Sequence, residues 1–85
     1  MKEFIIFINP DDVPNGRGSI SIYEWDSEKN CPKDLVLKKE YSIDVWSDPQ
    51  SLIEEGRYWF KKNEKKIIEE LEEKGYEDVK FFFGI

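Results

Sequence analysis

Acid–base chemistry in this 85-residue chain would have to come from carboxylates, because the sequence contains no histidine. That absence removes Ser-His-Asp and Cys-His nucleophile pairs, HExxH sites and His-rich metal sites in one step. Glu40 and Asp44 form a candidate acidic pair, on one side of a stretch that alternates from Leu35 to Trp46. Four residues of extended chain separate them by ~13 Å, so they make no tight dyad by themselves. Glu24 could approach across strands, but nothing in the sequence marks a nucleophile or an oxyanion hole nearby. The expectation is a protein that is not an enzyme. Cys31 is the single cysteine. It allows no internal disulfide and no Cys-based metal cluster. Only Lys29 and Lys33 are near enough in sequence to lower its pKa, so a reactive thiol is not expected. The loop from Asn9 to Gly18 is rich in carboxylates and amides, but it lacks EF-hand spacing and two prolines stiffen it. Neither a metal nor a cofactor is expected.

The charges point toward proteins rather than phosphates. The formal net charge is -6. Most of the excess lies in residues 1–48, with ten acids against six bases, whereas 54–74 holds seven against six. A chain of this sign is repelled by bare phosphate backbones, so nucleic acid is not the expected partner. Arg57, Lys61 and Lys65 do form an i, i+4, i+8 line of possible anion contacts, with Tyr58 alongside and Lys62 and Lys66 flanking. The acidic pairs Glu69-Glu70 and Glu72-Glu73 blunt that line. The longest apolar runs, Phe4 to Ile8 and Phe81 to Phe83, fall far short of a membrane span or a signal-peptide core. No membrane association is expected, and the lone cysteine suits a reducing, cytoplasmic setting.

One long amphipathic helix organises the elements around these residues. Ser47-Asp48-Pro49-Gln50 is a start signal: a capping side chain, then a proline with no N–H to lose in the first turn. Ser47 and Gln50 also fit the capping-box spacing, so the cap is either Ser47 or Asp48. Gly75 is a natural stop. Between them Leu52, Ile53, Trp59, Phe60, Ile67 and Leu71 fall on one arc at about 100° per residue. Gly56 lies in that arc and would allow close approach to a sheet; Asn63 lies there too and needs a polar partner.

The remaining elements read as strands. Phe4 to Ile8 is apolar on both faces, as a central strand should be. Ser19 to Asp26 alternates, with Ile20 and Ile22 on one face and Ser21, Tyr23 and Trp25 on the other. After a polar turn region at 27–34, Leu35 to Trp46 forms a third strand. Val79 to Ile85 forms a fourth. The fold class is α+β: a single β-β-β-α-β domain with a four-stranded mixed sheet in the order 4-1-2-3 and one long helix on one face. The first three strands form an antiparallel meander, and the helical crossover returns the fourth strand parallel to the third, beside the first.

One helix covers one face of such a sheet. That face takes Ile20, Ile22, Leu35, Leu37, Ile43, Val45, Val79, Phe81 and Phe83. The other carries Tyr23, Trp25, Trp46 and Phe82, ringed by Lys38, Glu40, Asp44 and either Glu24 or Asp26 in a mostly acidic rim. Aromatic side chains left on an open face favour an interaction surface. The opposite expectation is that twist and long loops fold over it. The β-β-β-α-β order resembles the small domain of HicB-type antitoxins. Asp44-Val45-Trp46-Ser47 stands where that family carries a Gly-Cys turn ahead of the helix, so the likeness is one of topology and no site residue is carried over. The expected function is a small acidic protein-binding module of the inhibitor, antitoxin or immunity type. It would block a partner through Tyr23, Trp25, Glu40, Asp44, Trp46 and Phe82. The alternative is a homodimer with a small-ligand or nucleotide site between protomers, its cations supplied by Arg57, Lys61 and Lys65.

Overall fold

Two local signals set the ends of the helix in the computed structural model, which describes residues 2–44 and 48–84. Helix α1 spans Pro49–Glu73. Asp48 is its cap, accepting a hydrogen bond from the Ser51 N–H at 2.8 Å. That same backbone bond holds the Asp48 carboxyl below the usual carboxylate range. At the other end, Gly75 takes φ +101°, the Gly75 N–H donates to the Glu72 carbonyl and the Tyr76 N–H donates to Leu71. This is a Schellman closure, and a side chain at Gly75 would be strained there.

The strands are β1 (Lys2–Asp12), β2 (Arg17–Asp26), β3 (Cys31–Ser42) and β4 (Val79–Phe83). They form one sheet in the order β3-β2-β1-β4, with β4 parallel to β1 and the other pairs antiparallel. The predicted mixed sheet, its strand order and the single helix are all present. Strands β1 and β2 run further toward each other than their sequences suggest. Pro10 is accommodated because the pairing slips between Asn9 and Asp12, where a missing N–H costs the ladder nothing. A short 3-10 turn, Val13–Asn15, completes the hairpin, with Gly16 at φ +65°. Between β2 and β3 the Asp26 carboxylate accepts from the Glu28 and Lys29 N–H groups, an Asx turn tighter than the polar stretch implied.

Strand β3 corrects the alternation read from sequence. Ile22 faces Leu37, but the next residue, Tyr23, faces Leu35, so Val36 is an extra residue in the ladder. The bulge brings Val36 against the core and turns Leu35 away from the helix, where it is 50% exposed. The strand also ends at Ser42, and Asp44 lies in an exposed bend beyond it.

The core lies between α1 and one sheet face. Leu52, Phe60, Ile67 and Leu71 from the helix meet Phe4, Ile6, Ile20 and Ile22 from β1 and β2. Each such burial contributes ~1.5–3 kcal/mol. Phe60 packs edge-on against both Phe81 and Phe83 of β4. At Gly56 helix and sheet come close together. A Cβ there would lie 2.6 Å from the Tyr41 hydroxyl and would also run into Ile8. Tyr41 fixes this contact by donating its O–H to the Leu52 carbonyl at 2.6 Å. Asn63, the polar residue on the apolar arc, is satisfied within its own helix, its Nδ2–H donating to the Trp59 carbonyl.

Candidate protein-binding face

The face of the sheet away from α1 has no described element packed over it. Register identifies its residues. Ile5 of β1 lies between Tyr23 of β2 and Phe82 of β4, and Phe7 lies opposite Ser21. The aromatic rings lie over this surface and pack on one another. Trp25 and Phe82 meet edge to face at 5.2 Å between centroids, and Phe7 meets Tyr23 the same way at 5.7 Å. Phe7 also lies against Gly84, where an added Cβ would run into its ring. Beneath these rings Ile5 is buried, while Phe7, Tyr23, Trp25 and Phe82 stay half-buried. Exposed Leu35 extends the apolar area at the Tyr23 end.

The other end of the face is polar. The Asn9 Nδ2–H donates to Ser21 Oγ at 3.1 Å and to Ser19 Oγ at 3.3 Å. Lys38 and Glu40 stand opposite Ser21 and Ser19 on β3. On the far side Lys80 is the cross-strand neighbour of Glu3. The rim therefore carries both signs of charge rather than the mostly acidic set expected. Glu24 is not part of it. It lies on the helix side of β2, buried, in an ion pair with Lys2. The Glu24 carboxylate raises the Lys2 ammonium pKa above the ordinary lysine value.

Of the residues expected at the site, Tyr23, Trp25 and Phe82 come together in one aromatic patch, and Glu40 stands at its polar end. Asp44 lies beyond the end of β3, away from the rings. Trp46 is outside the described residues. Sequence reasoning missed Leu35, because strict alternation hides a bulge. It also left unassigned which half of β1 faces outward, and the register with Tyr23 and Phe82 assigns Ile5 and Phe7.

The basic line on α1 does not converge. The Arg57 guanidinium lies 5.4 Å from the centroid of the Phe83 ring, over β4, while Lys61 and Lys65 point into solvent. None of the three lines either of two concavities on the surface. One, of about 430 Å³, is bordered by Asp11, Asp12, Arg17, Glu40 and Tyr41. There Tyr41 has its pKa pushed up to about 12, first by burial and then by Asp11 and Glu55. The other, of about 340 Å³, runs between α1 and β3 over Trp59 and Ile67, and the Lys39–Glu70 ion pair borders it at 2.7 Å. Among the described residues no group of three His, Cys, Asp or Glu side chains is arranged to hold a metal ion. Among the same residues no helix is long and apolar enough to cross a membrane. No family model matches the chain, and no curated protein or solved structure shows significant similarity to it.

Proposed function

We propose that this chain is a non-enzymatic protein-binding module that blocks or neutralises a partner protein through the open aromatic face of its sheet. The observation that carries this reading is the Phe7-Tyr23-Trp25-Phe82 patch around Ile5, which has no described element packed over it. Aromatic anchors surrounded by polar groups are what the centres of protein interfaces favour. The rim suits a partner whose own apolar patch is bordered by both signs of charge, because Glu3 and Lys80 stand at one side and Lys38 and Glu40 at the other. Blocking by surface occupancy needs no catalytic group. An inhibitor, antitoxin or immunity-type role in the cytoplasm fits a small acidic domain with one half-buried cysteine.

The test substitutes Tyr23→Ser and Trp25→Ser together and checks the fold by circular dichroism. Wild type and variant are then used as baits against the same extract. The expected result is a stoichiometric partner retained by wild type and lost by the folded variant. Equal retention by both baits would overturn the reading.

A further inference from the structure

The two edges of the sheet are built differently. Edge strand β3 carries Pro32, Lys33, Lys38 and Lys39 and is bent by the bulge at Val36. Proline, lysine and bulges are the devices that keep an edge from pairing with another chain. Edge strand β4 has no proline and no bulge, and its sequence is Val79-Lys80-Phe81-Phe82-Phe83. Its one lysine already has Glu3 as its cross-strand neighbour.

The hydrogen bonds to β1 show which backbone groups of β4 are free. The Lys2 N–H donates to the Asp78 carbonyl at 3.0 Å, and the Gly84 N–H donates to the Ile6 carbonyl at 2.7 Å. In a parallel pair, alternate residues turn both polar groups to the same neighbour. Residues 78, 80, 82 and 84 therefore face β1. The N–H and C=O groups of Val79, Phe81 and Phe83 face outward, where the sheet order supplies no strand.

We propose that these groups are satisfied by a second copy of this chain, through antiparallel β4–β4′ pairing centred on Phe81, which joins two four-stranded sheets into one. Three features select this partner and this register. Centring on Phe81 sets Val79 opposite Phe83′ and Phe81 opposite Phe81′, so every outward group of the three residues is paired in both copies. It sets Lys80 opposite Phe82′, a cation against an aromatic ring, twice by symmetry. Sliding by one pairing step to centre on Lys80 would set lysine against lysine. Finally, the Arg57 guanidinium over Phe83 marks one end of β4 and Glu77-Asp78 the other, so antiparallel pairing brings opposite charges together at both ends. This pairing uses an edge, not the open face: Phe82 meets Lys80′ at the seam, while Phe7, Tyr23 and Trp25 of the two copies remain uncovered.

Register-specific cross-linking tests it. In a Cys31→Ser background, Lys80→Cys and Phe82→Cys are made as separate proteins, checked for fold by circular dichroism, and oxidised alone and mixed. Directly opposite residues in the wide pair lie ~4.5 Å apart at Cα, within disulfide reach, whereas diagonal neighbours lie ~7–8 Å apart and beyond it. The mixture should give a disulfide dimer roughly tenfold faster than either protein alone. Wild type should be a dimer by light scattering, and the Tyr23→Ser/Trp25→Ser variant should remain one while losing partner capture, so this proposal and the function above fail separately. A wild-type monomer at every concentration, with no preferential mixed cross-link, would overturn the pairing. So would a dimer that lacks the mixed cross-link and dissociates on Tyr23→Ser/Trp25→Ser, which would assign the second copy to the open face.

Discussion

On the helix side of the sheet, Ile6, Ile20 and Ile22 are completely buried; on the other side Phe7, Tyr23, Trp25 and Phe82 are larger yet only half-buried. The difference lies in what does the covering. Helix α1 covers the first set, with Leu52, Phe60, Ile67 and Leu71 filling the space above it. The second set covers itself, ring edge against ring face, and in doing so buries Ile5. Side chains of one sheet thus obtain most of their burial in the folded monomer on one face and keep part of it in reserve on the other. Stability and recognition should separate along the same line.

The largest expected effect is on the covered side. Ile22→Ala should cost about 2–5 kcal/mol, because it removes a fully buried side chain whose neighbours on α1 and β1 cannot collapse freely. Denaturant unfolding measures it. Tyr23→Ser, one residue along the same strand but facing outward, should cost clearly less. Equal costs would mean that the open face is packed as a second core.

How much of this contrast was legible follows from what each signal encodes. Long-period patterns survive translation into structure: of the arc Leu52, Ile53, Trp59, Phe60, Ile67 and Leu71, all but the half-buried Ile53 and Trp59 form the buried stripe of α1, and Gly75 is the stop. The strand order was also readable, because an apolar-on-both-faces β1 needs neighbours on both sides and a helical crossover delivers a parallel strand. Residue-level placement failed where local geometry breaks the period. Val36 shifts the register by one, which moves Leu35 from core to surface. Glu24 was placed among candidates for the rim, but on β2 it shares a face with Ile20 and Ile22 and pairs with Lys2. Alternation assigns a side chain to a face; which face the helix takes, and which charge finds a partner there, depends on contacts between distant parts of the chain.

A smaller effect probes the close approach between helix and sheet at Gly56. Tyr41→Phe should cost about 1 kcal/mol, the loss of one hydrogen bond from a buried hydroxyl to the Leu52 carbonyl. The folded Tyr41 pKa is raised to about 12, so the folded state holds this proton more tightly than the unfolded chain does. Its contribution is complete below the ordinary tyrosine value near ~10 and is lost as pH rises from there to about 12. Unfolding midpoints of wild type and Tyr41→Phe should converge over that alkaline range. Curves that stay parallel would mean that burial does not restrain the phenol.

The smallest expected change in stability is the most informative about the open face. Leu35 is 50% exposed and sits on the open side only because of the Val36 bulge. Leu35→Ser should alter stability by no more than ~0.5 kcal/mol, as for other surface substitutions. Solvation alone gives no reason for a leucine at that position, next to Tyr23 at the apolar end of the patch. If the patch docks on a partner, Leu35→Ser should weaken that association about tenfold, on the order of 1.4 kcal/mol, while the unfolding midpoint stays unchanged. A variant that binds as tightly as wild type would confine the docking surface to the aromatic rings and exclude the end that the bulge creates. The substitution thus separates a leucine merely left outside from one placed there, because its two readouts answer to different faces of the same sheet.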